Sequence, residues 1–170
     1  LSSNDTWQVD KCAHILGCKA KRNECNYSWS FEKEGHLVKT QDIIPSDLAC
    51  YAYEKNIPSV YMFSSIEQRK ALLQGLFDTG GSISITEGRL HISYSTPSKK
   101  LCEDIRNLLL TFGIVSSVRE DKRSKNINYD IKVNCSKEKA ELLFSLPRKL
   151  DKVTSFERKV HRDYTKVAIR

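Results

Sequence analysis

Leu73-Gln74-Gly75-Leu76-Phe77-Asp78-Thr79-Gly80-Gly81-Ser82-Ile83-Ser84-Ile85 reads as a helix that stops on two glycines and drops directly into a strand. Upstream, Ser65-Ile66-Glu67-Gln68 has the form of a capping box, Gln68 standing three residues after Ser65. Downstream, Ser82-Ile83-Ser84-Ile85-Thr86 alternates polar and apolar, the pattern of a half-buried strand. Two features set this helix apart from an ordinary core helix. Ala71 and Gly75 are small residues on one face, so another backbone can approach closely. Asp78 stands at the C-terminal end, where the helix dipole disfavours negative charge, and a carboxylate held there implies a cation or a capping duty.

Working outward, Glu87-Gly88 makes the turn of a hairpin whose second strand is Arg89 to Ser95. Alternation assigns its faces: Ile83, Ile85, Leu90, Ile92 and Tyr94 pack under helices, and Ser82, Ser84, Thr86, Arg89, His91, Ser93 and Ser95 point the other way. Thr96-Pro97 opens a helix carrying Leu101, Ile105, Leu108, Leu109 and Phe112 at helical spacing, closed by Gly113. Strands follow at 114–119 and 127–134, joined by a basic loop with Lys122, Arg123 and Lys125, and Ser136 caps a helix through Leu143. These strands extend the polar face with Ser117, Arg119, Asn128, Asp130, Lys132 and Asn134. Such groups suit base edges and phosphates, and a two-stranded ribbon is a shape the major groove of duplex DNA admits.

The N-terminal part has a related order. Residues 1–6 are polar and expected to fray; Trp7 to Leu16 reads as a helix stopped by Gly17. A basic strand then runs from Cys18 to Glu24, and Tyr27, Trp29 and Phe31 share one face of the next strand. A polar turn lies around Gly35, and Ser46 caps a helix running to Glu54. Helix, glycine stop, strand, turn, strand and capped helix recur in this order from Thr96 onward, which points to a structural repeat whose first copy lacks the motif helix and its hairpin. The expected boundaries are 1–63 for the partial first repeat, 64–153 for the second and 154–170 for a charged tail.

The run Leu73 to Gly81 resembles the signature of the LAGLIDADG homing endonucleases, in the form found inside inteins, matching at Leu73, Gly75, Leu76, Asp78 and Gly81. The resemblance continues through Ile57 to Arg69 and Thr96 to Leu101. It implies an α+β fold, helices packed on a curved antiparallel sheet that forms a DNA-binding saddle. It also implies Mg²⁺-assisted phosphodiester cleavage at the foot of two paired motif helices. Ser82, Ser84, Thr86, Arg89, His91, Ser93, Arg119, Lys122, Arg123, Lys125 and Lys132 are the DNA-binding candidates, and Ala71 and Gly75 the helix-pair interface. Asp78 is the candidate catalytic and metal residue and Lys149 the candidate assisting basic residue, but the family's metal-binding Asp falls at position 80, which here is Gly80. With one motif helix, the chain needs a second from another chain or from its own copy. The tail resembles the return to a splicing domain, without splicing residues.

Composition agrees with a nucleic-acid partner. The chain of 170 residues carries a net charge of +7, with 39% hydrophobic and 29% charged residues. No apolar run is long enough to span a membrane and no signal peptide heads the sequence, so no membrane partner is expected. The 6 cysteines form no CxxC pair, which favours an intracellular, reducing compartment. Cys12, Cys18 and Cys25 with His14 and His36 leave a minor metal alternative, and Cys102 and Cys135 read as buried thiols. The expected function is a homing-endonuclease-family protein that binds duplex DNA, with cleavage impaired or lost at Gly80. The alternatives are a non-cleaving DNA- or RNA-binding or structural insert of an intein, and one part of a split endonuclease.

Overall fold

A computed structural model describes residues 3–24, 27–39, 43, 50–123 and 127–157 of the chain. The chain packs as two compact units, Leu1–Tyr51 and Ala52–Arg170. Ile57 belongs to the second unit: it is buried in that core and its N–H donates to the Asp104 carboxylate at 3.0 Å.

In the first unit, α1 (Thr6–Leu16) ends at Gly17, whose φ of +61° supplies the left-handed turn a glycine adopts without strain. Strands β1 (Lys19–Arg22), β2 (Trp29–Lys33) and β3 (His36–Leu37) form an antiparallel sheet in that order. Val9, Ala13 and Phe31 make its small core; Trp29 is half-buried and Tyr27 exposed, so the predicted aromatic face is buried only at Phe31. Residues 3–6 do not fray as expected. The Ser3 N–H donates to the Tyr27 carbonyl, and the Trp29 indole donates to the Ser3 carbonyl at 3.0 Å. Of the helix expected from Ser46 to Glu54, residues 46–49 lie outside the described residues and 52–54 form a turn.

The second unit is built on a four-stranded antiparallel sheet, β4 (Gly81–Thr86), β5 (Arg89–Thr96), β7 (Asn128–Asn134) and β6 (Val115–Asp121), in the order β4-β5-β7-β6. The fold is α+β, with antiparallel sheets and packed helices, consistent with a LAGLIDADG-like architecture. Glu87 and Gly88 both take positive φ (+53° and +69°), the two-residue hairpin turn whose twist matches the flanking strands. After a short α2 (Ser59–Met62), α3 (Ile66–Thr79) begins on the predicted capping box: Ser65 accepts from the Gln68 N–H, and Gln68 accepts from the Ser65 N–H.

Helix α4 (Lys99–Leu110) starts at Ser98, not at Pro97. The Ser98 hydroxyl accepts from the Leu101 N–H at 3.1 Å, a capping bond that proline cannot offer. Leu101, Ile105, Leu108 and Leu109 are buried as their spacing predicts. They meet Ile83, Ile92, Ile131 and Val133 from the sheet and Leu73 and Phe77 from α3. Ile85 is on the predicted apolar face but stays 48% exposed near the hairpin turn. Two more helices follow the sheet, α5 (Lys137–Glu141) and α6 (Pro147–Thr154).

Candidate functional site

The C-terminal end of α3 is where chemistry was expected, and it is joined to α6 by two exchanged caps. Asp78 is buried, and its carboxylate accepts from the Ser145 N–H at 3.1 Å, the Ser145 hydroxyl at 2.6 Å and the Leu146 N–H at 3.1 Å. The charge that is badly placed at the end of its own helix therefore sits at the entry to α6, where the dipole favours an anion. Lys149, in the first turn of α6, is also buried. Its ammonium donates to the carbonyls of Phe77 at 2.7 Å, Asp78 at 2.8 Å and Gly81 at 2.6 Å. An ammonium has three donors, and these carbonyls engage all of them at the end of α3, where the dipole favours a cation. The Phe144 ring lies 5.8 Å from the same ammonium and packs edge-on against Phe77.

The glycines after the helix have distinct reasons. A Cβ on Gly81 would lie 2.6 Å from the Phe77 carbonyl oxygen and 2.8 Å from its Cα, so the helix-to-strand corner admits only glycine. A Cβ on Gly80 would meet the Tyr94 ring, 2.8 Å from Cε2. Gly75 has nothing within 4 Å of such an atom. Together with Ala71 and Thr79 it forms an exposed small-residue face of α3.

This arrangement does not fit a divalent metal held by this motif copy. Gly80 offers no side-chain ligand atom, and both Asp78 oxygens already accept protein hydrogen bonds. Among the described residues, no three His, Cys, Asp or Glu side chains come together as a metal group. Cys12, Cys18, His14 and His36 form no such group, and Cys25 lies outside the described residues. Cys102 is buried and Cys135 half-buried, and burial pushes both thiols above their ordinary range.

The opposite face of the sheet carries the remaining candidates. Register places Ser82, Ser93, Lys132 and Ser117 in one row across the strands, with Ser84 beside His91 and Thr86 beside Arg89. Ser95, Asp130 and Arg119 form a second row in which Asp130 accepts from both neighbours. The basic residues divide into two groups. Arg119 faces Asp130 at 3.4 Å, Lys122 pairs with Glu120 at 3.0 Å, and Arg123 forks onto Asp121. The Arg123 guanidinium and its backbone N–H hold the Asp121 carboxyl well below the usual carboxylate range. Arg89, His91 and Lys132 are exposed and face no carboxylate within ion-pair distance among the described residues. Lys125 lies outside the described residues. Sequence reasoning missed Ser145 as the partner of Asp78 and Tyr94 as the neighbour of Gly80. The Gly81–Tyr94 register of the hairpin was the available signal for the second.

A motif helix, a hairpin and a four-stranded antiparallel sheet under α4 define a LAGLIDADG-like architecture, and residues 67–146 match the family model described as a LAGLIDADG-like domain. Among curated proteins, a DNA gyrase subunit of Mycobacterium malmoense is 38% identical over 64 residues, covering 37% of this chain and 14% of the gyrase chain. A probable cell division protein WhiA of Clostridium botulinum is 30% identical over 106 residues, 61% of this chain and 33% of the relative. The WhiA of Clostridium beijerinckii is 36% identical over 64 residues, covering 38% and 20% of the two chains. The chain thus spans a third or less of the length of these relatives. No helix among the described residues is long and apolar enough to cross a membrane.

Proposed function

We propose that this chain binds double-stranded DNA with the polar face of its four-stranded sheet and does not cut the duplex by itself. The observation that carries the reading is the composition of that face. Exposed hydroxyl and amide groups surround His91 and the cations Arg89 and Lys132, which have no carboxylate partner among the described residues. Hydroxyls and amides suit base edges, and the free cations suit phosphates. The name of the gyrase relative, a protein of DNA, is in keeping with this. The lack of fit for Mg²⁺ around Gly80 and Asp78 favours binding without hydrolysis, so Asp78 and Lys149 act here as structural residues rather than as catalysts.

Two further parts of the reading rest on separate observations. The exposed Ala71–Gly75–Thr79 face of α3 favours a second motif helix from another chain or a second copy, which would complete a split endonuclease or a paired binder. The small share of the gyrase chain that is matched favours an intein-type insert within a larger protein. In this reading, the matching glycine stops at Gly17 and Gly113, both with positive φ, mark a partial first repeat and a second one.

The test is binding of a duplex library followed by fluorescence anisotropy at several salt concentrations. Replacing Arg89 and Lys132 together by Ala should reduce the salt slope of log K by roughly 2, since each phosphate contact contributes about 0.9. Arg89→Ala with His91→Ala should weaken binding without unfolding. Unchanged affinity and slope in both variants would remove the sheet from the interface.

A further inference from the structure

We propose that the metal position of this motif is closed rather than merely stripped of its ligand. Tyr94 fills the space a carboxylate at position 80 requires, and the Lys149 ammonium supplies the positive charge at that helix end. The backbone at Gly80 does not demand glycine. Its φ of −102° and ψ of −11° lie in the right-handed region open to any residue. Space is what demands it: a Cβ there would stand 2.8 Å from Tyr94 Cε2 and 3.1 Å from both Cζ and the hydroxyl oxygen. The half-buried ring can withdraw only by giving up its contacts. It leans on Phe77 with centroids 5.7 Å apart, Phe77 is fully buried, and Phe144 backs it from another side. Tyr94 is also fixed in register opposite Gly81, which the Phe77 backbone holds against the helix. On the other side, Lys149 binds three carbonyls around the same turn. A divalent ion brought to this helix end would meet a charge of its own sign. Reinstating an aspartate at position 80 alone therefore does not rebuild a metal site. The inference holds whether or not the sheet binds DNA.

The experiment is a thermal double-mutant cycle on the full chain with Gly80→Ala, Tyr94→Leu and the pair. Leucine keeps an apolar contact but lacks the distal ring atoms. Gly→Ala at a compatible backbone position stabilises through the unfolded chain, so the sign of the shift reports the clash. The expected result is a Tm lowered by several degrees when Gly80→Ala is made beside the native Tyr94. In the Tyr94→Leu background the same change should leave the Tm unchanged or raise it. Equal shifts in both backgrounds would overturn the proposal. If the Tyr94→Leu protein does not fold, the Tyr94 ring protons are followed by NMR in the wild type and in Gly80→Ala. Displaced resonances support the proposal and coincident ones overturn it. Finally, Gly80→Asp alone should give no terbium luminescence response and no rise in Tm with Mg²⁺; a response in either would also overturn it.

Discussion

Replacing Lys149 by Met tests the exchanged caps most directly, because it keeps the aliphatic stem and removes only the ammonium. Three charge-assisted bonds are lost, to Phe77, Asp78 and Gly81. Such bonds contribute about 1.5–3 kcal/mol each. Part of that gain offsets the several kcal/mol it costs to bury a charge. What the substitution leaves behind decides the net effect: carbonyls at the end of α3 that lose their ammonium donor, and a buried Asp78 carboxylate without the nearby cation. Breaking a buried charge arrangement from one side costs about 3–5 kcal/mol, so a loss of about 3 kcal/mol is expected. For a unit of this size that is a fall in Tm of roughly 10–15 °C. Lys152→Met is the control, an exposed lysine of the same helix, with an expected loss under about 0.5 kcal/mol. Calorimetry gives the Tm, and amide exchange should accelerate in the last turn of α3. If Lys149→Met melts within about 3 °C of the wild type, the ammonium does not hold this corner and the energetic reasoning fails.

Other substitutions probe neighbouring elements. Asp78→Asn should cost about 2–3 kcal/mol, because one of the two acceptor oxygens facing Ser145 and Leu146 becomes a donor. Combined with Lys149→Met it should cost clearly less than the sum of the two, as denaturant titration of the double-mutant cycle would show. Gly81→Ala should destabilise by more than about 3 kcal/mol, since its Cβ meets backbone atoms at 2.6 and 2.8 Å. Gly75→Ala, with open space at that point, should raise the Tm of the monomer by an amount worth about 0.5–1 kcal/mol. The same variant should weaken any self-association seen by sedimentation. Tyr94 is raised from its ordinary 10.0 by burial, so the folded state retains its proton where the unfolded chain has lost it. Its contribution is complete below about pH 10 and is lost as the pH rises above it. Tyr94→Phe should flatten the alkaline decline of Tm above about pH 10.

What the sequence made legible was local. The Ser65–Gln68 box, the Glu87-Gly88 turn and the glycine stops at Gly17 and Gly113 depend on partners a few residues away, and all are present in the structure. The helix spacing of Leu101, Ile105, Leu108 and Leu109 marked a true buried face for the same reason. Ser98 displaced Pro97 as the start of α4 because a buried hydroxyl facing the Leu101 N–H outweighs the helix preference of proline. The role of Asp78 was legible only as a contradiction, a carboxylate at the wrong end of a helix. Its resolution lies 67 residues downstream at Ser145, a distance no periodicity spans. Lys149 likewise serves carbonyls 72 and 71 residues before it. The pairing of Arg119 with Asp130 was hidden too, since it depends on β6 lying beside β7, whereas Lys122 and Arg123 pair with Glu120 and Asp121 two residues away.

The exchanged caps have a consequence for the order in which the unit is made. Helix α3 leaves the ribosome well before the groups that finish its C-terminal end, which are Ser145, Leu146 and Lys149. Until those residues emerge, the nascent helix has a buried-type carboxylate without these donors and a last turn without its cation. The strands can pair as two separate hairpins in the meantime. The corner from which the polar sheet springs gains these bonds only with the arrival of α6, so translation itself sets the moment at which that corner is finished.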